Sequence, residues 1–288
     1  MADLFEAGGK RLRPALVLLT AKCGQYDLEK LKPAAMAVEF THAATLVHDD
    51  VIDRSEVRRG RPTVAAALGD EPAIVIGDFY FAKAYEQAAR TGSTEVVGLL
   101  ARTVMEICAG EVRQQAIRYD YRTEVDEYMR RIEAKTATLL AACCDIGSVL
   151  AALPPKQRVA LHTYGQMLGL AFQIADDVLD YLGSAGEIGK PIGHDIAEGF
   201  ATLPLMLAKE DPDTASKLDR VLSNGRKLTA QEAQHVVELV RGSNAPQQAL
   251  DRAREYASVA RESLYGVPEG EARDALAALT DYVVIRKL

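Results

Sequence analysis

The sequence has little of what would tie it to an oxidising compartment, a membrane or a nucleic acid. Its four cysteines, Cys23, Cys108, Cys143 and Cys144, form no CxxC pair and share no zinc-like spacing with a histidine, which argues against a disulfide framework or a structural zinc site and for reduced thiols. There is no excess of positive charge: 34 Lys and Arg stand against 41 Asp and Glu, a net charge of −7, so no whole-protein attraction to nucleic acid or anionic lipid is expected. No basic-then-apolar leader opens the chain, because Lys10, Arg11 and Arg13 interrupt the first apolar stretch. No long apolar run is free of charge either. The best membrane-span candidate, 136–153, carries Asp145 near its middle, where a bilayer centre costs about 2.5 to 3.5 kcal/mol, and it reads as a buried core helix. Strand-like alternation of period two is also lacking. These absences lead to the expectation of a cytoplasmic globular protein without a transmembrane segment, in which any polyanionic ligand is held by local basic clusters.

What is present is helical. Apolar residues make up 48% and charged residues 26%, enough for a packed core with a soluble surface. Ala37, Phe40, Thr41, Ala44, Val47, His48 and Val51 advance by threes and fours and draw one stripe along a helix over 33–54. Further helices are predicted over 73–90, 94–119, 125–153, 155–181, 202–209, 230–240, 245–265 and 269–285. Turn signals fall between them, at Arg59-Gly60-Arg61-Pro62, Gly69-Asp70-Glu71-Pro72, Leu153-Pro154-Pro155 and across 183–193. None is long enough for a linker, so the reading is one all-α domain, a bundle of long helices over 1–288.

One motif occurs twice. Asp49-Asp50-Val51-Ile52-Asp53 returns as Asp176-Asp177-Val178-Leu179-Asp180. On a helix the three carboxylates of each copy crowd onto one surface, which costs a few tenths of a kcal/mol per pair when exposed and more among apolar neighbours. Both copies lie inside apolar runs, so a compensating cation is called for. Oxygen ligands without His or Cys suit a hard ion, above all Mg2+ shared with phosphate oxygens. Arg58, Arg59 and Arg61 follow the first copy, and Gly8-Gly9-Lys10-Arg11-Leu12-Arg13-Pro14 forms a second basic cluster able to approach a bulky anion. His42 precedes Asp49 by about two helical turns and projects from nearly the same face.

Collectively these blocks resemble the trans-isoprenyl diphosphate synthase family: GGKRLRP from Gly8, HDDVIDRSEVRRGRPT from His48, GD at Gly77 and Asp78, KT at Lys135 and Thr136, FQIADDVLD from Phe172, and GKPIGHDI from Gly189. The resemblance covers nearly the whole chain. It implies that Asp49, Asp50, Asp53, Asp176, Asp177 and Asp180 surround about three Mg2+ ions on the diphosphate of an allylic substrate. Lys135, Gln173 and Arg58 would be catalytic contacts to that diphosphate, joined by Thr136 and Lys190. Lys10, Arg13, His42 and Arg59 would hold isopentenyl diphosphate. The implied reaction is ionisation of the allylic substrate and attack by isopentenyl diphosphate, with apolar walls excluding water. The implied assembly is a homodimer with a deep central cavity.

Ala44 and Thr45 lie about one helical turn before Asp49, where bulky family residues resemble a floor. Small residues here imply a medium or long product of the type used for quinone side chains. Phe79, Tyr80, Phe81 and Tyr85 are candidates for a deeper floor, or for ordinary core. Two departures stand out. Gly199-Phe200-Ala201-Thr202 puts Phe200 where the family often has the Lys of GKxT, and only seven residues precede Gly8. A heteromeric subunit or a terpene cyclase are the competing readings, met by the retention of all six Asp and of Lys10, Arg13 and Arg59. Di-iron ExxH pairs at Glu39/His42 and Glu232/His235, and a phosphohydrolase built on His48-Asp49, fit less well.

Overall fold

The computed structural model describes residues 10–58, 60–183 and 192–285, and these are almost wholly helical, as the spacing predicts. They fall into two compact units. The first is drawn from Met1–Met105, Leu139–Gly165 and Ser263–Leu276, the second from Glu106–Thr138, Gln166–Glu262 and Ala277–Leu288.

In the first unit, α1 (Leu12–Ala21) and α2 (Leu28–Ile52) are followed by a hairpin of two-residue strands, β1 (Val57–Arg58) and β2 (Arg61–Pro62), then by α3 (Val64–Leu68) and α4 (Asp70–Arg90). The expected start of α2 at residue 33 is five residues late. Asp27 caps the helix by accepting the amide of Glu29 at 3.1 Å, and Leu31 is buried, so the turns before Pro33 hold despite the missing proline amide. The stripe lies where expected: Ala37, Thr41, Ala44 and Val47 are fully buried, and α2 packs most extensively on α4. The short hairpin, absent from the sequence reading, turns at Gly60 with φ of 75°.

The chain continues through α5 (Thr94–Ala116) and α6 (Val125–Ile132). The sequence spacing predicts a single helix over 125–153; instead a π-helical turn, Glu133–Ala137, separates α6 from α7 (Thr138–Leu150). Periodicity could not show this, because one widened turn changes no apolar residue type. In the first unit α7 is buried, and a Cβ on Gly147 would stand 2.1 Å from Thr20 Oγ1, so α1 crosses α7 at that glycine. The long α8 (Pro155–Leu182) follows, and its second-unit part meets the π turn: a Cβ on Gly169 would lie 2.4 Å from Cα of Ala137.

The second unit is completed by α9 (His194–Ala197), α10 (Leu203–Ala208), α11 (Pro212–Leu222), α12 (Ala230–Arg241) and most of α13 (Ala245–Ser263), with the end of α14 (Glu271–Ile285). Its core gathers Tyr181, Ile196, Leu205, Leu218, Val236 and Val240 in one cluster and Tyr128, Ile174, Val178 and Leu203 in another. α11 was not anticipated, although Asp211 at its cap and Pro212 at its first position are ordinary start signals. Among the described residues no helix is long and apolar enough to cross a membrane.

Gly169→Ala tests the close approach of α8 to the π turn. The added methyl gains about 0.5–1 kcal/mol of helix propensity, yet it must displace backbone, and a net loss of about 1–3 kcal/mol in urea denaturation is expected. Equal or greater stability would show that the contact relaxes freely.

Candidate active site

The first acidic cluster spans the last turn of α2 and its C-cap, Asp53. Asp50 is 1% exposed and is held by Arg58, whose Nε and Nη2 lie 2.8 and 2.7 Å from its Oδ1. The hairpin makes this possible. Ser55 N donates to the carbonyl of Asp50, and Thr63 donates through Oγ1 to Ser55 and through N to Glu56, which returns β1 and Arg58 over the helix end. Arg58, expected on a substrate diphosphate, is thus pre-oriented by a carboxylate of the cluster. The neighbouring His48 packs on α4, with Nε2 3.1 Å from the carbonyl oxygen of Ile74 and 3.6 Å from Asp78 Oδ1. A Cβ at Gly77 would sit 2.1 Å from that ring, which gives the Gly77-Asp78 pair a local physical role.

The second cluster ends α8. Asp176 is exposed, whereas Asp177 and Asp180 are 3% and 7% exposed. Tyr128 donates its hydroxyl to Asp177 Oδ2 at 2.7 Å, and Gln173 donates Nε2 to Oδ1 at 2.7 Å. Gln173 in turn accepts from Thr136 Oγ1 at 2.6 Å, a contact that Gly169 permits by letting α8 approach the π turn. Asp180 accepts the backbone amides of His194 and Asp195 at 3.1 and 3.0 Å. Burial first, and then the charge of Asp195, push both carboxyls up, to about 7 for Asp177 and about 8 for Asp180. Tyr128 is likewise raised well above its ordinary value by burial and by Asp177, so it remains a donor.

Lys135, in the π turn, donates to Glu111 Oε2 at 2.8 Å. Burial would raise Glu111, but the ammonium of Lys135 and the side chains of Gln115 and Gln114 outweigh it and hold the carboxyl low. The sequence points to Lys135, Thr136 and Gln173 as diphosphate contacts and not to Glu111, Tyr128, Arg131 and Asp195. Only Asp195 had a signal, standing in the GKPIGHDI block; the others come from chain-distant positions or carry no motif.

Elsewhere in the first unit, Lys10 is exposed, Arg13 is half-buried on α1 and His42 half-buried on α2, while Arg11 pairs with Glu39. Arg59 and Lys190, with Gly8 and Gly9, lie outside the described residues. Ala44 is fully buried against Val47, Ala73 and Tyr80, whereas Thr45 is half-buried with its hydroxyl on the carbonyl of His42 at 2.9 Å. Of the four aromatics on α4, Tyr80 is core and stacks on Phe40, Phe81 and Tyr85 are half-buried, and Phe79 is 45% exposed. Glu232 closes a capping box with Thr229 and binds Arg226, and His235 is exposed, so this ExxH pair is a helix start and a solvated face.

A polyprenyl synthetase family model matches residues 1–240. Heptaprenyl diphosphate synthase component 2 of Geobacillus stearothermophilus is 39% identical over 280 residues, covering 97% of this chain and 87% of that protein. Nonaprenyl diphosphate synthase of Mycobacterium tuberculosis is 37% identical over 289 residues, covering 99% of this chain and 85% of that protein. The crystal structure of a polyprenyl synthase from Caulobacter crescentus, complexed with calcium and isoprenyl diphosphate, matches with a TM-score of 0.92 at 40% identity and covers 98% of this chain and 87% of that one.

The donor sets fit a hard divalent cation of the Mg2+ class. Among the described residues no three His, Cys, Asp or Glu side chains form a ready-made metal cage, but Mg2+ usually takes only one or two protein carboxylates and completes its shell with water and phosphate oxygens. Asp177 accepts from Tyr128 on one oxygen and from Gln173 on the other, and each oxygen keeps lone-pair capacity for more.

With no metal added, Asp177 and Asp180 make stability depend on pH. Their folded values lie above the unfolded carboxyl value near 4, so the folded chain binds more protons between about pH 4 and pH 8 and is destabilised as pH rises through that window. The melting temperature of the metal-free chain is expected to fall from pH 5 to pH 8, and Asp180→Asn to flatten the slope. The same slope in the variant would remove Asp180 as its source.

Proposed function

The chain belongs to the polyprenyl synthetase family, and on that premise we propose that it is a Mg2+-dependent prenyltransferase. It condenses isopentenyl diphosphate head to tail with an allylic diphosphate and makes a medium or long all-trans polyprenyl diphosphate, a quinone side-chain precursor. The observation that carries this reading is the repeated Asp triplet, each copy near the end of a long helix, with two of the six carboxylates buried on α8 and one on α2. Burying acids this way is unfavourable unless cationic ligands compensate them. The heptaprenyl and nonaprenyl diphosphate synthases among its relatives support the product class, and the calcium and isoprenyl diphosphate of the Caulobacter structure support the ligand class.

Asp49, Asp50, Asp53, Asp176, Asp177 and Asp180 hold the cations; Mg2+, when bound, supplies the charge that makes a diphosphate a competent leaving group. Arg58, Lys135, Thr136, Gln173 and Lys190 bind the allylic diphosphate. Arg58 and Lys135 are set in place beforehand by Asp50 and Glu111, so little reorganisation is needed as negative charge develops on the departing group. Lys10, Arg13, His42 and Arg59 bind isopentenyl diphosphate. Ala44 and Thr45 leave room for a growing chain, the 288 residues work as one catalytic domain in the cytoplasm, and two copies form a homodimer.

A second reading has its own support: the Geobacillus relative is a component 2, the name of one part of a larger synthase. The chain would then need a different partner in place of its own copy. Incubation of the purified chain with Mg2+, labelled isopentenyl diphosphate and farnesyl diphosphate separates the two. A ladder ending at one long prenol supports the homomeric enzyme. No extension with any allylic primer overturns it, and hydrocarbons from the primer alone would mark a cyclase.

Asp176→Ala is expected to lower Mg2+-dependent condensation by at least about 100-fold, and retained turnover would remove the second cluster from the cation site. Ala44→Phe is expected to shorten the final prenol. Because Ala44 is fully buried, the larger ring also costs about 1–3 kcal/mol, so the product assay is read alongside circular dichroism. An unchanged product in a folded variant takes Ala44 out of the chain-length wall.

A further inference from the structure

Phe200 stands where a lysine is usual, and its ring has a definite use. It is 9% exposed, and two guanidinium groups stand over it, with Cζ of Arg118 at 5.5 Å and Cζ of Arg131 at 5.8 Å from the ring centre. Arg118 is already committed, since its Nε donates to the carbonyl of Glu198 at 2.8 Å and its Nη2 pairs with that residue's carboxylate. Arg131 is different. It is 5% exposed, and its Nη2 donates to the carbonyl of Ala201 at 2.8 Å. A buried guanidinium in that position is costly unless ring faces and carbonyl dipoles replace its water. Its second ring is Tyr128, 5.3 Å from Cζ, and the hydroxyl of Tyr128 donates to Asp177.

We infer that Tyr128 and Arg131 are positioning residues of the second acidic cluster: Phe200 seats the guanidinium of Arg131, Arg131 steadies the ring of Tyr128, and Tyr128 orients Asp177 toward a divalent cation. The cation over the ring face also makes the phenol a stronger donor. Phe200 therefore keeps a fixed positive charge behind the cluster instead of presenting a mobile one in front of it. The inference rests on the reading of Asp177 as a metal ligand. Outer partners of this kind orient metal-binding carboxylates, and their removal typically weakens metal affinity 10- to 100-fold.

Tyr128→Phe keeps the ring and its packing and deletes the hydroxyl alone. Mn2+ is titrated into the full chain and into the variant, each saturated with inorganic diphosphate, and followed by calorimetry. About 10- to 100-fold weaker Mn2+ binding is expected in the variant. In the condensation assay the half-saturating Mg2+ concentration should rise by a similar factor, and by more than kcat falls. Phe200→Leu, which removes the ring without touching Asp177 or its donors, should shift Mn2+ affinity in the same direction by a smaller factor. Equal Mn2+ affinity for Tyr128→Phe and the unaltered chain overturns the inference, as does a loss of kcat with the Mg2+ dependence unmoved. If the unaltered chain does not condense prenyl diphosphates at all, the functional reading falls while the Mn2+ titration still decides this one.

Discussion

Three buried carboxylates govern how the two acidic motifs are built, because an acid taken out of water must be answered by something close at hand. The answer differs in each case. Asp50 has a guanidinium on one oxygen, delivered by a hairpin that turns back over the end of α2. Asp180 has two backbone amides from the start of α9. Asp177 has two uncharged side-chain donors, Tyr128 and Gln173, with Arg131 standing behind the first. Motifs of nearly the same sequence thus sit in different electrostatic settings. The first is balanced by a formal charge in direct contact, whereas the second has neutral donors in contact and the charge of Arg131 acting on Asp177 through space, and it keeps its carboxyls high.

Bringing those donors to their acids is a matter of backbone approach. Tyr128, Arg131, Lys135 and Thr136 sit on α6 and the π turn that follows it, while Gln173 and Asp177 sit on α8. The turn widens the helix just where Lys135 and Thr136 must face two partners, Glu111 and Gln173. Such single wide turns recur at functional positions because they re-aim side chains without ending the helix. Glycines at 110 and 169 remove the side chains that would keep α5 and α8 away: a Cβ at Gly110 would lie 2.7 Å from Cβ of Ala134. In the first unit Gly77 does the same for the ring of His48. Each glycine in a helix costs about 0.5–1 kcal/mol relative to alanine, so local stability is given up where a polar contact is gained.

Much of this was legible in the sequence, for reasons that can be named. The stripe from Ala37 to Val51 has the 3.6 period that only a helix satisfies, and it carries its acids to the end of α2. The repeated Asp triplet inside apolar runs signalled buried acids, and three of the six are buried. Legibility stopped where spacing carries no information. Nothing in Arg58 says that its first partner is Asp50, since that depends on a hairpin only two residues long on each side. The π turn leaves apolar periodicity intact, so by spacing alone it is indistinguishable from plain helix. Tyr128 reaches Asp177, and Glu111 reaches Lys135, only through tertiary packing, and a lone tyrosine or glutamate on a helix has no motif to mark it.

Phe200 shows why a single departure from a family pattern should be weighed with its surroundings. Counted alone, a phenylalanine at a lysine position removes a charge. Set beside Arg118 and Arg131, the apolar ring is what lets two guanidinium groups share a confined place, since an ammonium there would add a third like charge to the same neighbourhood. Arginine is suited to this arrangement because its planar, weakly hydrated group stacks on rings and still bonds a carbonyl at its edge, as Arg131 does with Ala201. The substitution and the buried arginine belong to one arrangement, and each is understandable only with the other in place.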